Sequence, residues 1–457
     1  MKSAARVVPL LVMTALGCEL QKAAAPSPTL ALDASTTSGT GSCPNSERGR
    51  NPNGPVSLLC VISVPGNPIA SSDIAWVDRG TERYYIADRS NSGVDIVDAE
   101  RSVYVGRVGG MVGGFPKTPT TGGGTATTNG AGPNGVVVTP EGIMWAGDGN
   151  STVQVADVDP DSPNYLKIIG SVSTAAAACD GGTATTHYCG RADEIGYDPI
   201  HHVILIANPS PLSVAAGHAG IDPYATLISA KPPYAVLGQI SFAGAGGLEQ
   251  PLWNPELRRF FLTVPGVVAG GAVVKPAAIA VINTETRSVE KTYQLDCHAL
   301  NGTVGASITG IALGEDQHIL VSACGNPIIL HAGTGAPISV ISQVGGGDEV
   351  WFNPGDGRFY VTAAATAAPS LQALGVINGE TSAWLQNITD IRGKNPAAFP
   401  ENNRIFTVVQ ITAAIAAGTA TDSSTCSLFG VKGTGCVAVY GHSGRAGERD
   451  GEGEGER

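Results

Sequence analysis

Charged residues are scarce in this sequence, and basic residues are scarcer than acidic ones. Only 14% of the 457 residues are Asp, Glu, Lys or Arg, and the formal net charge is −12. Nucleic-acid binding needs a basic surface, so this balance argues against a nucleic-acid partner. Beyond the N-terminal region no apolar run is long enough to span a bilayer, so we expect no transmembrane helix there.

Several sequence motifs that would identify an activity are also missing. The sequence has no Gly-x-Ser-x-Gly elbow, no His-Glu-x-x-His pair and no phosphate-binding loop. Because no Cys-x-x-Cys occurs, a zinc site is disfavoured against disulfides. Long amphipathic helical patterns are absent, which argues against an α/β fold. What remains is 61 glycines and 30 prolines in a chain that is 42% hydrophobic, a composition typical of many turns between short strands.

The first 18 residues predict an export signal. Lys2 and Arg6 form a basic region before a short apolar core at residues 7–17, and Cys18 follows directly. The ending Ala-Leu-Gly-Cys resembles the bacterial lipoprotein box, in which the Cys becomes the lipidated N-terminus. Ala15 replaces the larger aliphatic residue usual there, so secretion after a different cleavage remains open. We expect an outer-membrane or periplasmic lipoprotein or a secreted protein, in contact with a membrane only through a lipid on Cys18.

The other eight cysteines favour four disulfides in an oxidising compartment. Two pairs bracket loops rich in Gly, Thr and Ser, and the remaining cysteines form two more. The predicted pairs are Cys179–Cys189, Cys426–Cys436, Cys297–Cys324 and Cys43–Cys60.

A repeated unit dominates the chain. Each copy opens with a small or polar residue and continues with an apolar run, a turn and a second apolar run such as RYYIAD, RFFLTV or RFYVTA. A third and a fourth run follow in most copies. The seven copies open at Asp73, Asn134, Asp193, Glu249, Thr309, Asp348 and Lys394.

Four short strands repeated every 40–60 residues or so are typical of a β-propeller. We predict an all-β, seven-bladed propeller with four-stranded antiparallel blades over residues 56–443. Residues 19–55 are expected to form a low-complexity tether and residues 444–457 a disordered tail. The last copy supplies three strands, and the lone strand VSLLCVISV from Val56 is predicted to complete it and close the ring.

The opening residues of the repeats are expected to meet at the central axis, and Glu194, Glu349 and Asn395 can also turn inward. Oxygen donors converging on one axis suit a hard cation such as Ca²⁺. A solvated polar tunnel, partly neutralised by Lys394, is the alternative. The predicted ligands are Asp73, Asn134, Asp193, Glu249 and Asp348, with no other cofactor.

The repeats resemble known propeller families. EQPLWNPELRRFFLTV and PNGVVVTPEGIMWAGD are similar to motifs of the gluconolactonase and senescence-marker-protein family, and RYYIADRSNSGVDIVD resembles YVTN and NHL repeats. The first resemblance implies Glu249 and Asn134 as metal ligands, and a metal that polarises a lactone carbonyl. Here the Glu opens the fourth blade instead of the first.

Long insertions are predicted on only one face of the disc, where binding normally resides; unselected padding is the alternative. His298 lies on that face and is the candidate acid or base. Our first interpretation is a monomeric envelope scaffold that holds a small molecule or an envelope protein at this face. The alternative is a divalent-metal-dependent lactonase or esterase at the tunnel mouth.

Overall fold

Short antiparallel strands make up most of the regular structure. The computed structural model describes residues 43, 52–112, 132–149, 151–176, 191–209, 222–364, 372–389 and 393–442. These residues form seven four-stranded sheets and one two-stranded hairpin. The predicted pair Cys179–Cys189, the export signal with Cys18, most of the tether and the tail lie outside the described residues.

The strands follow the predicted repeats in order. Strand β1 is Val56–Ile62. Blade 1 contains β2 (Ala75–Asp78), β3 (Arg83–Asp88), β4 (Gly93–Asp98) and β5 (Val103–Gly109). Blade 2 contains β6 (Val136–Val138), β7 (Ile143–Asp148), β8 (Thr152–Asp157) and β9 (Lys167–Ser173). Blade 3 contains β10 (Ile195–Asp198), β11 (Val203–Asn208), β12 (Tyr224–Ser229) and β13 (Val236–Ser241).

Blade 4 carries an additional hairpin. It contains β14 (Pro251–Asn254), β15 (Arg259–Val264), the hairpin strands β16 (Val267–Ala269) and β17 (Ala272–Lys275), then β18 (Ala277–Asn283) and β19 (Ser288–Leu295). Blade 5 contains β20 (Ile308–Leu313), β21 (His318–Ala323), β22 (Asn326–His331) and β23 (Pro337–Val340). Blade 6 contains β24 (Val350–Asn353), β25 (Arg358–Ala364), β26 (Gln372–Asn378) and β27 (Trp384–Thr389).

The last blade closes the ring. Blade 7 contains β28 (Gly393–Phe399), β29 (Arg404–Val409) and β30 (Cys436–His442). Strand β1 pairs antiparallel with β30, from Val56 opposite His442 to Ile62 opposite Val437. Each innermost strand contacts the innermost strands of both neighbouring blades, and β28 contacts β2. The prediction of seven blades closed by the N-terminal strand is therefore confirmed, and closure covers an edge of β30 that would otherwise be open.

Helices are few and short among the described residues. The α-helices are α1 (Cys297–Asn301), α2 (Ala413–Ala416) and α3 (Thr425–Leu428), with single 3₁₀ turns at Arg89–Asn91 and Glu315–Gln317. Among these residues no helix has the length and apolar content needed to cross a bilayer.

The core lies between adjacent blades. Every residue of β11 is buried, because both faces of its sheet are covered by neighbouring blades. One apolar cluster joins Tyr85 and Val94 of blade 1 to Val138 and Met144 of blade 2. This sandwiching explains why second strands read as nearly continuous apolar runs rather than as alternating ones.

The two faces of the disc differ in their connections. On one face the links are tight turns; after β14, for example, Asn254 Oδ1 accepts hydrogen bonds from the backbone N–H groups of Glu256 and Leu257. On the other face lie the connections from second to third strands and from fourth strands to the next blade, including residues 264–277, 296–307 and 410–435. We call this second side the looped face.

Three of the four predicted cysteine pairs form disulfides in the structure. Cys297 pairs with Cys324 and Cys426 with Cys436, which fastens two long connections of the looped face. Cys60 of β1 pairs with Cys43, which lies upstream of the propeller strands.

Candidate functional site

The predicted ligand residues occupy equivalent positions in their blades. Asp73, Asn134, Asp193, Glu249 and Asp348 each lie two residues before an innermost strand. In four blades the backbone N–H of this residue donates to the second strand, with N···O distances of 2.8 Å at Asp73, 2.7 Å at Asn134, 2.9 Å at Asp193 and 3.0 Å at Glu249. Thr309 and Lys394 lie within β20 and β28. The repeated backbone position brings these side chains to one central cluster, which we call the hub.

Arg89 is a hub residue that the sequence analysis missed. Its guanidinium pairs with Asp73, and its Nε and Nη2 donate to Asn134 Oδ1 at 2.9 and 2.6 Å. Asn134 Nδ2 in turn donates to the carbonyl oxygen of Ala192 at 2.8 Å. Arg89 therefore joins blades 1 and 2, and Asn134 extends the connection to blade 3.

Lys394 neutralises acidic groups on both sides of blade 7, as the sequence suggested. Its Nζ lies 3.3 Å from Asp73 Oδ1 and 2.7 Å from Asp348 Oδ2. Burial works to raise the pKa of Asp73, but the Arg89, Lys394 and Arg191 charges outweigh it and hold that pKa below its usual value. Asp73 is thus ionised at neutral pH.

A third cation, Arg191, was also missed. Its Nη2 lies 2.6 Å from Asp193 Oδ2. Burial raises the pKa of Asp193 nonetheless, because Asp193 is 1% exposed and Asp73 adds a repulsive charge. Arg191 lies two residues before the opening residue of blade 3, and this spacing is the sequence signal that could have identified it.

Three hub glutamates have no cation partner among the described residues. Glu194, Glu249 and Glu349 form no ion pair there, whereas Asp193 and Asp348 each form one and Asp73 forms two. Burial raises the pKa of all three glutamates well above normal, and the surrounding carboxylates raise it further. Six carboxyl groups thus face three cations, so a neutral hub requires three added positive charges, supplied by protons alone or by protons together with a bound cation.

Two of these glutamates leave carboxyl oxygens unsatisfied. Glu349 Oε2 accepts a hydrogen bond from the Ala75 backbone N–H at 3.2 Å. Glu349 Oε1 and Glu194 Oε2 are buried without a hydrogen-bond partner among the described residues. A protonated carboxyl or a cation close to these oxygens would satisfy them.

The fit of a metal ion to the predicted ligands is incomplete. Both Asp73 oxygens face Arg89 and Lys394, and Asn134 Oδ1 is engaged by Arg89. Within the described ranges, no three acidic, histidine or cysteine side chains are arranged to hold one ion. The structure therefore brings the five predicted ligands to one hub but places cations against several of them.

Polar hub residues also connect neighbouring blades. Asn395 Nδ2 donates to the Asp73 carbonyl oxygen at 2.9 Å, and Thr309 Oγ1 donates to the Gly347 carbonyl oxygen at 2.6 Å. Gln250 Oε1 accepts from the Ile311 backbone N–H at 2.7 Å. Hydrogen bonds between blades therefore account for much of the polar ring, and these bonds do not require a bound ligand.

His298, the predicted acid or base, lies on the looped face within α1. Asp296 Oδ1 accepts hydrogen bonds from the backbone N–H groups of His298 and Ala299 at 3.0 and 3.1 Å, which begins the helix. The imidazole is exposed and has no hydrogen bond with a described residue. It therefore lacks the carboxylate partner that would orient a catalytic histidine.

A cleft opens beside His298. It has a volume of about 700 Å³ and lies between the β16–β17 hairpin and α1. It is lined by Gly271, Ala272, Val273, Pro276, Gln294, Leu295, Asp296, Cys297, His298, Thr303, Val304 and Gly305. Its size is that of a small-molecule site.

A buried carboxyl pair lies outside the hub in blade 1. Asp88 and Asp95 are fully buried and hydrogen-bonded to each other. Asp95 Oδ1 accepts from Tyr104 Oη at 2.9 Å and lies 2.8 Å from Arg107 Nη2. Burial and the bond to Asp88 raise the pKa of Asp95 to about 8. The pair has no access to solvent, which indicates a structural role.

His442 joins the end of β30 to blade 6. Its Nδ1 donates to the Gly54 carbonyl oxygen at 2.8 Å, and its Nε2 lies 2.8 Å from Asp356 Oδ2. Tyr360 Oη donates to the same carboxylate oxygen at 2.5 Å. The imidazole and the carboxylate are both fully buried, so this histidine–aspartate pair stabilises the closed blade.

Comparison with known proteins supports the fold but assigns the chain to no family. No protein family matches the sequence, and no curated protein matches it. Among solved structures, the Pan2 WD40 domain of Neurospora crassa aligns with a TM-score of 0.50 and 9% sequence identity, covering 85% of this chain and 96% of that domain. The chain therefore has the fold of a β-propeller, while its resemblance to the YVTN/NHL and gluconolactonase-like repeats stays a prediction.

Proposed function

We propose that this chain is an exported envelope protein that holds a small molecule or a partner protein at its looped face. The blades form a closed, densely packed scaffold, and the long connections lie together on one side of it. Binding residues commonly lie on loops that a rigid scaffold positions. The predicted signal at residues 1–18 supports export, and the disulfides of the looped face suit an oxidising compartment.

The cleft beside α1 carries this proposal. It is formed by the hairpin inserted between β15 and β18 and by the connection between β19 and β20, both of which belong to the looped face. The second wall is fastened by the Cys297–Cys324 disulfide. A binding scaffold requires a fixed cleft on its loop-rich side, whereas insertions without a function would not.

Site-specific photo-crosslinking in cells tests the proposal. A photoreactive residue at Thr303 reports on the looped face, and one at Thr286 reports on the opposite face; both positions are exposed and both replace threonine. We expect a discrete adduct at position 303 and none at position 286. Equal labelling, or labelling at position 286 alone, would contradict the proposal.

A matched variant tests the export and anchoring. Replacing Cys18 by Ser removes the predicted lipid attachment site, so we expect the protein to move from the membrane fraction to the soluble exported fraction. Wild-type protein that is retained in the cytoplasm would contradict envelope location.

The second candidate is a divalent-metal-dependent lactonase or esterase with its ion at the hub. The unsatisfied oxygens of Glu194 and Glu349 favour it, because a cation would complete their coordination. Asp73, Asn134, Asp193, Glu249 and Asp348 would lie near the ion, which when bound would act as a Lewis acid on a carbonyl.

Metal analysis distinguishes the two candidates. For the enzyme we expect a stoichiometric divalent ion, a lower melting temperature after chelation, and hydrolysis of lactones or aryl esters that Glu249→Gln abolishes. A metal-free protein whose melting temperature does not respond to chelator or to added Ca²⁺ would contradict the enzyme.

A further inference from the structure

We infer that the cleft between the β16–β17 hairpin and α1 binds a small organic cation with an apolar body. This inference rests on the proposed function and specifies the ligand class for the looped face. It follows from the rigidity, the exposed apolar surface and the charge of the cleft.

The first wall of the cleft is held in place by contacts beyond its own strand pairing. Strands β16 and β17 pair with each other, and the Lys275 ammonium donates to the Ala243 carbonyl oxygen. The Gly266 backbone N–H donates to the Ala306 carbonyl oxygen at 2.8 Å, which joins the base of the hairpin to the opposite wall. The hairpin is therefore positioned before any ligand arrives.

The second wall is anchored to blade 5. The Cys297–Cys324 disulfide joins α1 to the end of β21, with a Cα–Cα distance of 5.2 Å. Asn301 Nδ2 donates to the Cys324 carbonyl oxygen at 2.6 Å. Two fixed walls reduce the ordering cost of binding, as in most small-molecule sites.

Apolar side chains are exposed on both walls. Val273 of the hairpin is 41% exposed and Val304 of the opposite loop is 59% exposed, although both line the cleft. A ligand with an apolar body would cover these side chains and be stabilised by the apolar surface removed from water. This part of the lining selects for hydrocarbon rather than for a highly polar ligand.

The charge of the lining selects for a cation. Asp296 is the one Asp, Glu, Lys or Arg among the described residues that line the cleft. Its Oδ1 is oriented by two backbone N–H groups, and no described cation forms a salt bridge with it. The hydroxyl of Thr303 and the amide of Gln294 add uncharged polar groups. An ammonium group would pair with the carboxylate, and the net charge of −12 favours the approach of cations.

Three probes that share a six-carbon chain test the inference by isothermal titration calorimetry at pH 7.5. We expect hexylammonium to bind most tightly, hexanol more weakly, and hexanoate not at all. Asp296→Asn should weaken hexylammonium binding about tenfold, to the level of hexanol. This loss corresponds to about 1.4 kcal/mol of binding free energy. Val304→Ser should weaken both hexylammonium and hexanol, because it removes apolar contact.

Asp316→Asn is the matched control. Asp316 is an exposed aspartate in the turn before β21, on the opposite face of the disc. Its substitution makes the same change in net charge as Asp296→Asn. It should leave all three affinities unchanged. An equal loss in Asp316→Asn and Asp296→Asn would overturn the inference as a general charge effect.

The remaining outcomes separate the two proposals. Equal binding of hexanol and hexylammonium by the wild-type protein would overturn the cation class while leaving the looped face as the binding surface. Absence of binding by every probe would overturn the cleft as a small-molecule site. The crosslinking at Thr303 and Thr286 would then still decide the proposed function independently.

Discussion

Asp95 shows how a single buried side chain can couple folding to pH. Its pKa rises to about 8 through burial, the hydrogen bond with Asp88 and the charge of Asp88, while Arg107 lowers it. An aspartate in the unfolded chain has a pKa near 3.9. Between these two pH values the folded state therefore keeps a proton that the unfolded state has lost. The stability that Asp95 contributes is fully present below about pH 4 and is lost as the pH rises through about 8.

We predict that Asp95→Asn flattens the dependence of stability on pH. Asn keeps the oxygen that Tyr104 and Arg107 contact and offers an amide N–H toward Asp88, as the protonated acid does. From pH 5 to 7.5 the wild-type free energy of unfolding should fall more steeply than that of the variant, by about 1.4 kcal/mol per pH unit. Urea unfolding at several pH values measures this.

The exposed Asp161→Asn serves as the control for this measurement, because Asp161 lies in a surface turn of blade 2. Its slope should equal that of the wild-type protein. Parallel slopes for wild type and Asp95→Asn would show that the proton is not held at Asp95.

The residues that line the hub were largely predictable, but their pairing was not. Asp73, Asn134, Asp193, Glu249 and Asp348 are recognisable because each opens a repeat. Arg89 and Arg191 reach the hub from segments outside the innermost strands. Lys394 pairs with carboxylates of two other blades, whereas Arg89 and Arg191 pair with aspartates nearby in the chain. Repeat spacing does not report which of these side chains meet.

At the scale of single elements, the disulfides of the looped face stabilise connections that contain little secondary structure. Cys297–Cys324 closes a sequence separation of 27 residues, and Cys426–Cys436 one of 10. A longer closed loop restricts the unfolded chain more, so its disulfide is expected to contribute more stability.

We predict that Cys297→Ser with Cys324→Ser lowers the free energy of unfolding by about 2–5 kcal/mol. The matched change, Cys426→Ser with Cys436→Ser, should cost roughly 1 kcal/mol less because its loop is shorter. Urea unfolding under non-reducing conditions measures both. A larger loss for the shorter loop would contradict the chain-entropy explanation.

The insertion of β16 and β17 shows the limit of prediction at this scale. The repeat pattern indicated long insertions on one face, and residues 264–277 form one of these insertions in the structure. It did not indicate that the insertion forms a hairpin against the segment around α1. The apolar residues of the insertion are contacted by a segment of another connection, and sequence periodicity within one segment does not report such contacts.

At the scale of the whole molecule, stability depends on ring closure. Strand β1 is far in sequence from β28, β29 and β30 but completes their sheet. Ile62 is 5% exposed and belongs to the apolar cluster shared by blades 7 and 1. The neighbouring Ser63 is exposed.

We predict that Ile62→Asp lowers the free energy of unfolding by about 3–5 kcal/mol, because it places an uncompensated charge in a buried site. Ser63→Asp adds the same charge at the next residue and should change stability by less than about 0.5 kcal/mol. Thermal and urea unfolding test this pair. Equal stability of the two variants would show that β1 does not hold the ring closed.

The sequence by itself determined the number of blades, their four-stranded form and their closure by β1. These features follow from local turn chemistry and from apolar runs that must be buried on both sides, and this pattern recurs in every copy of the repeat. Only the tertiary structure decided that three cations occupy a hub of six carboxyl groups, that Asp88 and Asp95 share a buried environment, and that two connections enclose a cleft. The cleft and the contacts of Lys394 join residues distant in the chain, and the Asp88–Asp95 contact depends on how β3 pairs with β4. The spacing of the repeats contains no signal for such side-chain contacts.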